Sequence, residues 1–245
     1  MRIDAHQCFT TEYTPDVLAP ILKRNRFEGS VVVCHPDNIP FHFELARKHA
    51  IIQAVVAWAD LTAPDLGNIL DAYQRHPKFR GVIYPHAAPF PDALAELERR
   101  DLTLDLPDPA DIPPIADRFP SLRLIIDHLG RPPADPDAWA RDVEAAAQYP
   151  QVSGKLSGLI THVATRWKAG DFRPYVHHAL RVFGPGRLMF GSDWPAYLPE
   201  GTFKESLAAF TQSIGALPEE VREHLLGGTA ARVYRIEHRV EPGAA

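Results

Sequence analysis

Cysteine and methionine are scarce in this chain, with two of each. Cys8 and Cys34 make no disulfide framework, and their spacing matches no zinc-finger pattern. Positive charge is not in excess either. The 26 Lys and Arg against 31 Asp and Glu leave a net charge of −5, no electrostatic footprint for nucleic acid or an anionic membrane. No apolar run approaches the roughly 20 residues needed to span a bilayer. The opening residues, MRIDAHQCF, enter strand-like sequence without a basic-then-apolar leader, so a reducing cytoplasm is the expected location. A glycine-rich phosphate turn is missing after the first strand candidate, which weighs against an open dinucleotide-binding sheet. No linker is visible, because the 24 prolines and 15 glycines are scattered as punctuation. One compact domain over residues 1–245 is expected.

What is present is a regular alternation. Short apolar segments read as strands at 2–6, 30–34, 51–58, 80–84, 102–106, 122–128, 152–156 and 187–192. Stretches with apolar residues three and four apart read as helices at 15–24, 41–50, 64–76, 91–100, 111–119, 135–148, 172–183 and 201–214. Many of these helices open on Pro or Asp, which suit a first turn. Strands such as VVVC, AVVAW and LIID are nearly continuous apolar runs, as expected when both faces of a parallel sheet are covered. Eight such units in about 240 residues match the arithmetic of a (β/α)8 TIM barrel. Residues 216–234 read as an extra C-terminal helix covering the barrel.

Active sites of such barrels lie at the C-terminal ends of the strands. The residues there include His6, Cys8, Cys34, His35, Trp58, Asp60, Tyr84, His86, Asp105, Asp127, His128, Lys155, Ser157, Ser192, Asp193 and Trp194. Asp193, in LMFGSDWP, stands on a stiff turn where a carboxylate can activate water or ligate a divalent ion; capping the next helix is the plainer role. His6 and His128 end their strands in the same way. Asp127 is expected to face the wall or orient a neighbour. Lys155 lies amid small and apolar residues and needs a partner or a task, either a carboxylate or the substrate. Tyr84 and His86 are expected to line a pocket, and Trp58 and Trp194 either wall a substrate or pack. His162, His177 and His178 read as packed or solvated. Cys8 can be a nucleophile, a soft ligand or a pocket wall.

The ordered set IDAHQ, WADLTAPD, LIIDHLGRPP, VSGKLSGL and FGSDWP resembles the amidohydrolase-superfamily branch of sugar-lactone and pyrone-dicarboxylate lactonases. The likeness runs from residue 3 to about 234. It implies a (β/α)8 barrel that hydrolyses a small cyclic ester. His6 matches the first histidine of a first-strand pair, Cys8 stands where the second would be, and His128 matches the sixth-strand histidine. Asp193 matches the eighth-strand aspartate that acts as base and proton shuttle. Members of this branch are described with and without a divalent metal, so the expectation is a hydrolase that requires none. If a metal such as zinc is held, its ligands would come from His6, Cys8, His128 and Asp193. The fourth strand end, Gly81-Val82-Ile83-Tyr84-Pro85-His86, lacks the arginine common there, which argues against a strongly anionic substrate. Cys8, Lys155, Tyr84, His86, Trp58 and Trp194 are the expected substrate-binding residues. The alternatives are a decarboxylase or other lyase on the same scaffold, or a degenerate non-catalytic barrel. The expected partner is a small-molecule substrate, and a homodimer is left open.

Overall fold

The computed structural model of the protein describes residues 1–85, 90–131, 136–162 and 168–237. Its strands are β1 (Ile3–Gln7), β2 (Gly29–Cys34), β3 (Ile52–Trp58), β4 (Phe79–Ile83), β5 (Thr103–Leu106), β6 (Arg123–Ile126), β7 (Val152–Leu156) and β8 (Leu188–Phe190). They pair in parallel, in sequence order, as one eight-stranded sheet. A bridge from Gln7 to Trp194 returns the far edge to β1. The helices between them are α1 (Pro15–Arg24), α2 (Ile39–Lys48), α3 (Leu66–Gln74), α4 (Pro91–Arg99), α5 (Ile112–Arg118), α6 (Pro136–Ala147), α7 (Leu159–His162) and α8 (Ala169–Phe183). After β8 come α9 (Phe203–Ile214), α10 (Glu219–Glu223) and α11 (Thr229–Val233). This is the (β/α)8 barrel expected from the alternation. No described helix is long and apolar enough to cross a membrane.

The period of two along each strand sorts side chains into two separate cores. Val31 and Val33 of β2 join Ala54 and Val56 of β3 in the barrel interior, with Ile3, Ala5, Ile125 and Met189. Their neighbours Val32, Cys34, Val55 and Ala57 face outward into the larger core beneath the helices. Cys34 is therefore a packing residue, remote in role from the mouth. Each fully buried Val, Leu or Ile contributes roughly 1.5–3 kcal/mol, so the outer core carries most of the stability.

Helix ends follow local chemistry. The first helix opens with Pro15 and Asp16 and closes with Lys23 and Arg24, signs that suit the helix dipole. Thr202 and Glu205 form a reciprocal cap at the start of α9. The predicted strand at 122–128 stops at Ile126, because the chain turns left-handed from His128 onward.

The C-terminal segment closes the base of the barrel. Between α10 and α11, residues His224–Gly228 form a π-turn that lays Gly227 against β1. A Cβ there would lie 2.5 Å from the Met1 carbonyl oxygen and 2.6 Å from the Ile3 nitrogen, so only glycine permits the approach. Ala230, Val233, Tyr234 and Ile236 then enter the interior core.

Candidate active site

His6 reaches the site through an irregularity in β1. Asp4 pairs with Ser30, yet Gln7 pairs with Val32, so β1 uses one residue more than β2 over this span. Strict alternation would set His6 on the face opposite Ala5, which lies in the interior core. The bulge instead turns His6 inward as well, a common use of bulges beside active sites. Its Nδ1 lies 3.3 Å from Asp127 Oδ1 and 3.4 Å from Lys155 Nζ.

His128 is aimed by unusual backbone. His128, Leu129, Gly130 and Arg131 have φ of 51°, 50°, 75° and 49°. Each non-glycine residue in this region costs on the order of 1 kcal/mol. The run is held by Trp139, whose Nε1–H donates to the Leu129 carbonyl at 2.6 Å. Gly130 is required by close packing, since a Cβ would fall 2.5 Å from Pro109 Cδ. His128 Nδ1 lies 2.9 Å from Ser157 Oγ, and the ring centroids of His6 and His128 are 4.4 Å apart.

Asp193 has φ 65°, and its backbone N–H donates to the His6 carbonyl at 2.9 Å. Just before it, Gly191 lets β8 pass against the site: a Cβ there would lie 2.7 Å from His6 Cβ and 2.9 Å from Ser157 Cβ. Asp4 fastens this turn from below. Its Oδ1 accepts from the Ser192 N–H at 2.7 Å, and its Oδ2 lies 2.6 Å from Ser192 Oγ. Burial pushes the Asp4 carboxyl up to about 6, against the opposing effect of the Ser192 hydrogen bonds. Ser192 Oγ in turn accepts from the Trp194 N–H at 3.1 Å.

The three expected catalytic residues thus converge, and one ligand atom from each of His6, His128 and Asp193 lies within 4.8 Å of the others. His6 Nε2 and Asp193 Oδ1 are 4.0 Å apart, too long for a direct hydrogen bond and suited to two ligands of one ion or one bridging water. Two imidazoles and a carboxylate are zinc-type donors. Each imidazole is held at its far nitrogen, His6 by Asp127 and His128 by Ser157, as metal-binding histidines usually are. The donor set therefore fits a divalent ion. Cys8 does not join the group.

Beneath the three lies a buried ionic cluster. Lys155 Nζ is 2.6 Å from Asp105 Oδ2 and 2.8 Å from Asp127 Oδ1. Asp105 also accepts from the Tyr234 hydroxyl at 2.8 Å and the Thr103 hydroxyl at 3.2 Å. Burial alone would lower the Lys155 ammonium, but Asp105 and Asp127 hold it above its ordinary value. Burial would raise Asp127, yet Lys155 and then His6 bring it well below the usual carboxylate range. Asp105 is held above that range by its burial, against the pull of Lys155.

Several sequence expectations are revised here. Lys155, expected at either a carboxylate or the substrate, is fully buried with its ammonium between two carboxylates, and takes the first role. Trp194 is 1% exposed and packs edge-on to Phe9 and Tyr13 with centroids 5.7 Å away, so it is packing rather than a substrate wall. The Cys8 sulfur lies 3.6 Å from the Phe9 carbonyl oxygen and 3.6 Å from His42 Nε2. That imidazole gives Cys8 no base: His42 Nε2 already accepts from the Phe9 N–H at 3.2 Å, and His42 Nδ1 lies 2.8 Å from the Asn38 carbonyl. Burial lowers the proton affinity of His42 and pushes the Cys8 thiol up to about 11, which opposes both the nucleophile and the thiolate-ligand readings.

Trp58 and Tyr84 lie half-buried at the ends of β3 and β4, with centroids 6.3 Å apart, and Phe90 adds an edge 5.9 Å from Tyr84. Asp60 beside them bonds the Tyr84 hydroxyl. His35 and His177 are exposed, and His178 Nε2 lies 3.1 Å from the Ala140 carbonyl. His86 falls outside the described residues. Sequence reasoning missed His42 and Tyr234. The only signal for His42 was a polar residue on the apolar face of a helix, and Tyr234 carried none.

The amidohydrolase family model matches residues 34–236. An L-fucono-1,5-lactonase of Burkholderia ambifaria is 30% identical over 279 residues, covering 96% of each chain. The L-fucono-1,5-lactonase of Burkholderia multivorans is 32% identical over 289 residues, again covering 96% of each. Among solved structures, an amidohydrolase from Burkholderia multivorans with bound zinc superposes with a TM-score of 0.86 at 31% identity. That match covers 97% of this chain and 100% of the other. With a strand-end His–His–Asp site on a (β/α)8 barrel, and relatives of this identity along the whole chain, the protein belongs to the amidohydrolase family.

Proposed function

We propose that the protein is a lactonase that opens a small cyclic ester at the mouth of the barrel. The observation that carries this reading is the convergence of His6, His128 and Asp193, with the two imidazoles held from behind by Asp127 and Ser157. The L-fucono-1,5-lactonase relatives support the reaction class. Asp193 is the general base: its carboxylate takes a proton from water as the water attacks the lactone carbonyl. Ser157 can donate to His128 Nδ1 or accept from it, so His128 can turn an N–H toward the developing oxyanion. Asp193 then returns its proton to the leaving alkoxide, and the ring opens to a hydroxy acid. His6, His128 and Asp193 are the residues that would hold a zinc ion, which supplies Lewis acidity at the carbonyl when bound. Trp58 and Tyr84 form an aromatic wall at the same rim, and Asp60 beside them disfavours anionic substrates.

The test is a release assay over sugar lactones, aryl lactones and cyclic imides, before and after chelator treatment. A sugar lactone is expected to turn over. Asp193→Asn is expected to lower kcat by about 1000-fold, within the range for a general base, with unchanged circular dichroism. Near-wild-type turnover in that variant would overturn the mechanism.

A further inference from the structure

The ionic cluster under the site has more parts than holding a lysine requires. One carboxylate would neutralise Lys155, yet two contact it, and the second, Asp105, is itself gripped by two hydroxyls. One of these, from Tyr234, comes from outside the barrel wall, carried up through the floor by the C-terminal segment. Tyr234 also lays its ring 5.5 Å from the Lys155 ammonium.

The geometry at His6 gives this arrangement a purpose. Two groups compete for His6 Nδ1: the Asp127 carboxylate at 3.3 Å and the Lys155 ammonium at 3.4 Å. A carboxylate can only accept, so it selects the tautomer with the proton on Nδ1; an ammonium can only donate, so it selects the opposite one. With the proton on Nδ1, Nε2 turns a bare lone pair toward Asp193 Oδ1, 4.0 Å away. Two acceptors facing each other at that distance attract a cation or a water proton. With the other tautomer, Nε2 would turn an N–H toward Asp193 and keep no lone pair for a cation or a water proton.

We propose that Asp105, anchored by Tyr234, is a positioning residue for His6: it draws the Lys155 ammonium to itself, so that His6 gives its Nδ1 proton to Asp127 and presents a bare Nε2. The 2.6 Å contact to Asp105 is the shortest that Lys155 makes within this cluster. The Tyr234 and Thr103 hydroxyls fix the carboxylate that makes it. The C-terminal helix is thus part of the active-site machinery as well as a plug. This inference rests on the reading of His6 as a site residue, but its decisive measurement needs no substrate.

That measurement is long-range 1H–15N correlation on chelator-treated protein labelled with [15N]histidine, the His6 signals being identified by their loss in His6→Asn. The wild type is expected to show Nδ1 protonated and Nε2 bare. Asp105→Asn removes the charge that holds Lys155 and leaves a balanced Lys155–Asp127 pair, so it is expected to fold and to move His6 toward the Nε2–H form. Zinc affinity, measured by competition with a chromogenic chelator, is expected to fall about 10- to 100-fold, the range for groups that orient a ligand from behind. Where a lactone is turned over, kcat is expected to fall with KM within about threefold. Tyr234→Phe is expected to shift the same signals in the same direction, by less. A wild type already in the Nε2–H form, or an Asp105→Asn protein with the wild-type His6 pattern and zinc affinity, would overturn the proposal. A Tyr234→Phe protein that loses only melting temperature would remove Tyr234 from it. Silence of the wild type toward every lactone, with the tautomer shift intact, would count against the lactonase reading alone.

Discussion

The two halves of the barrel interior are built from different material. On the side of β1 to β3 it is lined by Ile3, Ala5, Val31, Val33, Ala54 and Val56. On the side of β5 to β7 the buried residues include Thr103, Asp105, Asp127, Ser153 and Lys155. Both halves are excluded from water, so the difference is one of energetics rather than exposure. The apolar half gains stability by packing. The polar half carries the desolvation of three charges and recovers it through short contacts. What the polar half adds is direction: it tells His6 which nitrogen to protonate, and packing alone cannot do that. The ionic groups that face His6 thus come from one side of the interior, while the other side is apolar packing.

The largest effect expected from breaking this contrast is on the polar side. Lys155→Met leaves Asp105 and Asp127 buried with no counter-charge and should cost about 3–5 kcal/mol, read by urea denaturation. A loss under 1 kcal/mol would mean that the cluster is solvated. Next is Asp4, whose folded value near 6 lies above its ordinary 3.8. A carboxyl with a raised value stabilises the fold fully below pH 3.8 and loses that contribution as pH rises through about 6. Comparing wild type with Asp4→Asn, the stability difference should move against the wild type by about 2.4 kcal/mol between pH 4 and pH 7. A difference that stays flat with pH would exclude the raised value. On the apolar side, Val56→Ala should cost about 2 kcal/mol and leave kcat unchanged. A fall in kcat there would erase the distinction between the halves. Smallest is Cys8→Ala, expected to keep kcat within about threefold and zinc affinity unchanged, because the thiol neither ionises readily nor joins the His–His–Asp group. A large loss would restore Cys8 as a ligand.

Much of this was legible in the residues. The alternation of strand and helix could be read because strands covered on both faces show nearly unbroken apolar runs, while the helices show three- and four-residue spacing. Asp193, His6 and His128 could be shortlisted because they stand at the C-terminal ends of strands, where such barrels build their sites. Lys155 stood out as a charge amid small and apolar residues, but two roles remained open, since its partners come from β5 and the turn after β6, about 50 and 28 residues away in sequence. Cys8 looked like a substituted ligand. Its actual partner, His42, sits on α2, and only the folded backbone brings the two together.

The sequence by itself determined the architecture and the chemical inventory: eight parallel units, three candidate site side chains at strand ends, and a charged residue buried in β7. Those features are local, because periodicity and strand-end position depend only on near neighbours. The tertiary structure alone decided which way each group faces. The bulge at Ala5–His6, the left-handed turn through His128, the sharing of Lys155 between two carboxylates and the entry of Tyr234 through the floor all depend on contacts between distant segments. Direction is what a proton or a metal ion responds to, and direction is set by what lies within about 3 Å, a distance unrelated to separation along the chain.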